Sequence, residues 1–127
     1  MKYKILAIDP GSKKVGLALS DDSQMIAFAF ETWILDDNFT AKLAKLIEEK
    51  NIQQIVVGKN LYPSKHFDSQ IWAQKYLADI QIPLIFENED YSTFEALEKN
   101  PDADKDQAAA QYILQKYIDK NGSRNGI

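Results

Sequence analysis

Asp9 closes the apolar run Ile5-Leu6-Ala7-Ile8 and is followed by Pro10-Gly11 and then by Lys13-Lys14. A carboxylate at the end of a central strand does little for packing. Its oxygens project into the crevice beyond the sheet, where a hard cation can be held. Asp-Pro-Gly is also an ordinary turn sequence, with Asp accepting a backbone hydrogen bond and Pro fixing φ, so position alone does not separate a ligand from a turn residue.

Two further acids occupy comparable places. Glu89 follows the strand-like run Ile82-Pro83-Leu84-Ile85-Phe86. If strand alternation continues past it, Glu87 and Glu89 share one side and Asn88 takes the other. Asp106 stands one turn before Ala110 on the apolar stripe Ala110, Ile113, Leu114 and Tyr117 of a helix that starts near Asp104, so it faces inward. An acid in a first helical turn is equally well explained by the helix dipole. If Asp9, Glu89 and Asp106 converge, they repel and raise one another's pKa unless cations balance them. The expected occupants are Mg2+ or Mn2+, as a pair of ions. Two such ions about 4 Å apart activate water and stabilise the leaving oxygen in phosphodiester hydrolysis.

The elements that would position these acids follow from the hydrophobic pattern. The stretch Tyr3–Asp21 reads as a hairpin, its first strand ending at Asp9 and its second beginning after Lys13-Lys14 and ending in Ser20-Asp21, and Met25–Trp33 as a third strand pairing antiparallel with the second. Asp36 or Asp37 is expected to cap a helix whose stripe is Phe39, Leu43, Leu46 and Ile47. Ile52–Gly58 reads as a buried strand whose terminal glycine marks a place where a side chain would obstruct something. A second helix is expected over Phe67–Asp79, with Ala73, Tyr76, Leu77 and Ile80 inward and Trp72 in the core or at its rim. Ile82–Phe86 is the last strand. Ser92 or Thr93 opens a short helix, with Glu95 completing a capping box, and Asn100-Pro101-Asp102 breaks it. Right-handed crossovers then give a five-stranded mixed sheet, strands 1–3 antiparallel and strands 1, 4 and 5 parallel, with helices on both faces. One domain over residues 1–120 is expected, followed by a flexible tail at 121–127.

Composition limits the chemistry. The chain has 127 residues, no cysteine and one histidine, so any metal must be held mainly by oxygen. The first residues are charged rather than an apolar leader, and no run approaches a membrane span, so a cytoplasmic protein is expected. A net charge of −4 argues against nonspecific nucleic-acid binding. The distribution is uneven, however. Lys13, Lys14, Lys59 and Lys65 all fall in loops after predicted strands and would share the edge that carries Asp9, although lysines populate surface loops in any protein. The lone histidine, His66, lies in one of these loops, where a solvated side chain is the usual state.

The pattern Asp9-x-Gly11-x-Lys13-Lys14-x-Gly16 and the small-residue strand ending in Ser20-Asp21 resemble the opening signature of the YqgF/RuvX family, candidate pre-16S rRNA nucleases of ribonuclease H-like fold. The same signature overlaps the phosphate-binding hairpin of actin-like ATPases, though 127 residues are too few for their second lobe. The family likeness continues in Ile55-Val56-Val57-Gly58, in Glu89 to Ala96, and in Asp106-Gln107-Ala108-Ala109-Ala110 with Ile113-Leu114-Gln115. There are departures. Asn88-Glu89-Asp90 stands where the family has Asp-Glu-Arg, Lys59-Asn60 replaces the usual Leu-Pro, and the Gly-Ser pair of that loop is missing. Asp90 repels what an arginine would attract.

The resemblance implies Asp9, Glu89 and Asp106 as catalytic metal ligands. It implies structured RNA as substrate, in 5′-end maturation of small-subunit rRNA within precursor ribosomal particles. A DNA junction is the alternative substrate, and a non-catalytic RNA- or protein-binding module on the same fold is the alternative class.

Overall fold

The computed structural model describes residues 2–60, 67–89 and 104–125, with side chains as far as Asn121. Strands β1 (Lys4–Asp9), β2 (Lys14–Ser20) and β3 (Ala27–Ile34) are followed by helix α1 (Phe39–Glu49). Then come strand β4 (Ile52–Lys59), helix α2 (Ser69–Tyr76), strand β5 (Leu84–Asn88) and helix α3 (Lys105–Asn125). Among the described residues no helix is long and apolar enough to cross a membrane.

The sheet order is β3-β2-β1-β4-β5. β1 runs antiparallel to β2, with Asp9 opposite Gly16, and parallel to β4, with Ile8 opposite Val57. β5 runs parallel to β4, with Gly58 opposite Glu87. This is the expected mixed sheet of ribonuclease H-like topology.

Alternation along each strand divides the core in two. Leu6, Ile8, Val15, Leu17, Ile55 and Val57 pack under α1 and α2, where Phe39 meets the rings of Trp33, Trp72 and Tyr76 edge-on. On the other face Ile5, Ala7, Ala18, Ala27 and Val56 pack against Ala110, Ile113, Leu114 and Ile118 of α3. Small residues on both sides of this second interface let α3 lie close to the sheet.

Several boundaries differ from expectation, most of the starts for a local reason. β3 starts at Ala27 because the amides of Met25 and Ile26 donate to the Asp21 carboxylate. α1 is preceded by Asn38, and the Asp36 carboxylate serves one residue earlier by accepting from the Asn38 amide. α2 begins after Asp68, whose carboxylate takes the amides of Gln70 and Ile71, and ends at Tyr76. β5 begins two residues late because Pro83 has no amide to give, although its carbonyl accepts from Ile55. α3 runs on to Asn125, through residues expected to form a tail. The expected short helix at Ser92 or Thr93 with Glu95, its break at Pro101, and Lys65, His66 and Asp90 lie outside the described residues.

Candidate active site

Asp9 ends β1 on the face that α3 covers, in the row Ile5, Ala7, Asp9. The hairpin beyond it is held from below: the Trp72 indole Nε1 on α2 donates to the Gly11 carbonyl at 2.9 Å. Glu89 lies just past β5, and its amide continues the ladder to the Lys59 carbonyl at 3.0 Å. Glu87 reaches Lys120 of α3 and Glu89 reaches Gly58, so both glutamates lie on the α3 side and Asn88 on the other, as alternation requires.

Asp106 is placed by capping. The Asp104 carboxylate accepts from the amides of Asp106 and Gln107 at 2.9 and 3.2 Å, and its carbonyl accepts from Ala108. Asp104 thus precedes the first turn as its cap and satisfies donors that the helix cannot. Thr32 of β3 donates to the same carboxylate at 2.8 Å, which ties the start of α3 to the sheet. Burial presses the Asp104 carboxyl upward, but the Thr32 hydroxyl, the two amides and the nearby Lys14 charge hold it below the usual carboxylate range.

Two glycines make room for two of the acids. A Cβ at Gly16 would fall 2.0 Å from the Asp106 carbonyl oxygen and 2.9 Å from its Cβ. One at Gly58 would fall 2.9 Å from Oε1 of Glu89 and 2.7 Å from Cδ1 of Ile113. Among the described residues no glycine has positive φ, so both are required for space rather than for backbone conformation.

The carboxyls of Asp9 and Glu89 are hydrogen-bonded to each other. The Asp9 pKa is pushed up to about 10, first by burial, then by that bond, then by the charges of Glu89 and Asp106, with Lys105 opposing. Burial and the neighbouring acids thus favour the protonated form of Asp9 when no cation is present. Asp106 acts on Asp9 through charge. Among the described residues no three such side chains stand close enough to enclose an ion unaided. The donor set still suits a hard cation, because Mg2+ is commonly held by one or two carboxylates with water and substrate phosphate completing the shell. A divalent cation between Asp9 and Glu89 would compete with the proton on Asp9.

The lysines are distributed less simply. Lys14 is exposed, and its charge reaches Asp104. Lys13 is exposed, and its carbonyl accepts from Leu35. Lys59 ends β4 at the same edge, but alternation puts it with Val57 on the face under α1 and α2, away from the acids. Lys65 lies outside the described residues. The sequence reading misses Lys105, the cation whose charge acts on Asp9; its place immediately before an inward acid in a first helical turn was the available signal.

Residues 3–120 match the RuvX family, described as Holliday junction resolvase. The chain belongs to the RuvX family. Its similar relatives include a candidate pre-16S rRNA nuclease of Dictyoglomus turgidum, 33% identical, with 91% of this chain and 94% of the relative covered. A candidate pre-16S rRNA nuclease of Leuconostoc citreum is 30% identical, with 94% and 96% covered. Among solved structures, Thermus thermophilus RuvC bound to a Holliday junction superposes with a TM-score of 0.66 at 12% identity, with 98% of this chain and 96% of that one covered. The Fowlpox virus resolvase bound to a Holliday junction gives 0.55 at 15% identity, with 92% and 97% covered. At these identities the two structures establish a shared fold for this RuvX-family chain.

Proposed function

We propose that the chain is a divalent-metal-dependent nuclease. It hydrolyses phosphodiesters of structured RNA in the cytoplasm, in 5′-end maturation of small-subunit rRNA on precursor ribosomal particles. The observation that carries this reading is the hydrogen-bonded pair Asp9 and Glu89, with Asp106 close enough to act on it by charge. Three acids from distant parts of the chain gathered at one sheet edge, with two glycines clearing the space, are costly to fold and are explained by a task at that edge. The names of the relatives support a nuclease of precursor rRNA.

Asp9 and Glu89 would hold Mg2+ or Mn2+, with Asp106 adding negative charge and a ligand for a second ion. When bound, such ions activate water and stabilise the leaving oxygen. The chain's own part is to fix the carboxylates: the β1 ladder orients Asp9, the β4–β5 ladder carries Glu89, and the Asp104 cap sets Asp106. Lys13, Lys14 and Lys105 would meet substrate phosphates. Electrostatics of that kind position a backbone without reading sequence.

The test uses purified protein with labelled structured RNA and a labelled four-way DNA junction, in Mg2+, Mn2+ or chelator. Metal-dependent cleavage of the RNA, abolished in Asp9→Asn, is expected. Preferential cleavage of the junction would move the substrate to DNA. Cleavage indifferent to chelator or to that substitution would overturn the mechanism. A second reading, a non-catalytic RNA- or protein-binding module, is favoured by the Asn88-Glu89-Asp90 departure and predicts RNA retention without cleavage in any metal.

A further inference from the structure

β5 pairs with β4 and lies at the edge of the sheet. A strand held by a single ladder is fixed along its length but can roll about that ladder, and a roll would carry Glu89 away from Asp9. On one face of the sheet β5 meets α3. There Lys120 Nζ lies 2.9 and 3.1 Å from the two carboxylate oxygens of Glu87, and Lys116 Nζ lies 3.4 Å from the Asn88 carbonyl oxygen. The two lysines are one helical turn apart, so they project from the same side of the helix. They hold the two residues that immediately precede Glu89.

The pairing is asymmetric. The Glu87 side chain is 6% exposed and that of Lys120 62%. Burying a carboxylate is not a route to stability by default, because desolvation offsets much of the Coulomb gain, and an apolar residue would pack there at no such cost. A buried acid fixed through both oxygens does supply a defined geometry. α3 carries Asp106 in its first turn and Lys120 about 20 Å further along the same rod. One rigid element thus sets one acid directly and grips the strand that delivers another.

We propose that Glu87, Lys116 and Lys120 form a clamp that fixes the Glu89 carboxylate relative to Asp9 and Asp106, with Glu87 and Lys120 as positioning residues for the ion site. The clamp rests on the reading of Asp9 and Glu89 as an ion-holding pair. It does not touch the ion. It determines whether Glu89 is already in place when the ion arrives, the role of groups that orient metal ligands from behind.

Two readouts test this, neither of which needs turnover. Mn2+ alone is titrated by calorimetry into the metal-free full chain, and amide hydrogen exchange is followed at Glu89, whose amide donates to the Lys59 carbonyl. Lys120→Met keeps the apolar stem and removes the charge. It is expected to weaken Mn2+ binding by roughly tenfold, the lower end of the loss seen when such supporting groups are removed. Exchange should rise at Glu89 without a matching rise at Ile5 to Ile8 in the centre of the sheet. Lys120→Arg, which keeps charged donors at the carboxylate, should restore both readouts.

If Lys120→Met binds Mn2+ as the wild type does and Glu89 keeps its protection, the clamp is overturned. If exchange rises uniformly over the sheet, the pair is merely stabilising and the clamp is again overturned. If the wild type takes up no Mn2+, the ion site itself fails, and local exchange at Glu89 alone decides whether the strand is clamped. Should Lys120→Met not fold, Glu87→Gln, of the same shape without the charge, carries the same measurements.

Discussion

Gly16 lies so close under Asp106 that a Cβ there would come within 2.0 Å of the Asp106 carbonyl oxygen. The obstructing atom is helix backbone, so the contact can be relieved only by moving the start of α3. Gly16→Ala is therefore expected to cost roughly 1–3 kcal/mol by overpacking and to shift Asp106 away from Asp9. Gly58→Ala meets the ends of two side chains instead, Ile113 Cδ1 at 2.7 Å and Glu89 Oε1 at 2.9 Å. Its stability loss should be the smaller, while Glu89 is still displaced. Urea denaturation of both variants checks the order, and Mn2+ titration checks that both weaken the site.

The raised carboxyl of Asp9 gives stability a pH dependence of definite sign. Its carboxyl rises from 3.8 to about 10 on folding, through burial first and then the hydrogen bond and charge of Glu89 and the charge of Asp106. The folded state therefore holds a proton that the unfolded state releases, and this contribution to stability is complete below pH 3.8 and declines as pH rises towards about 10. Melting of the metal-free protein should show that decline. Asp9→Asn, which is neutral in both states, should flatten it. Excess Mn2+ should raise the melting temperature of the wild type most at the alkaline end, where displacing the proton costs least.

Asp21 and Asp104 work in the opposite direction and in another window. Burial pushes on the Asp21 carboxyl, but the amides of Ile26 and Met25 hold it low, and Asp104 is held low by Thr32 and its capped amides. Both contribute stability that is present above pH 3.8 and lost as pH falls through their depressed values. Asp104→Ala is expected to cost about 1 kcal/mol, the usual worth of an N-cap. Thr32→Val should share part of that loss. A double-mutant cycle by urea denaturation should find the two non-additive, because both changes remove the 2.8 Å bond between them.

Much of this architecture can be read from local pattern because its causes are local. The turn after Asp9 follows from Pro10-Gly11, the two-sided core from alternation along β1 and β4, and the facing of Glu87 and Glu89 from the same alternation carried past Phe86. Gly58 could be read as a clearance because it ends a β-branched run. Gly16 could not: its neighbour is Asp106, ninety residues away, and a glycine in a short strand says nothing about what packs over it. The misplaced boundaries share a cause. Side chains that take up backbone donors, Asp21 for Met25 and Ile26, and a proline that offers none, Pro83, move strand starts without altering hydrophobicity. Lys59 illustrates a further limit, since belonging to the right edge does not place a side chain on the right face.

The chain's own departure from its family provides the last test. Asn60 stands where the resemblance noted in the sequence implies proline, and here it bonds to Phe67 and Ser69. Its side-chain oxygen accepts from the Ser69 amide at 3.0 Å and the Ser69 hydroxyl at 2.8 Å, its side-chain nitrogen donates to the Phe67 carbonyl at 3.1 Å, and its own amide donates to Ser69 Oγ at 3.2 Å. Ser69 is fully buried. Proline at position 60 removes every one of these bonds and leaves the Ser69 hydroxyl buried without its acceptor, which costs roughly 1–3 kcal/mol. Asn60→Pro should therefore lower the urea midpoint. Ser69→Ala removes the stranded hydroxyl. In that background the proline should be markedly better tolerated, and equal losses in both backgrounds would mean that the hydroxyl is not what makes proline unacceptable here.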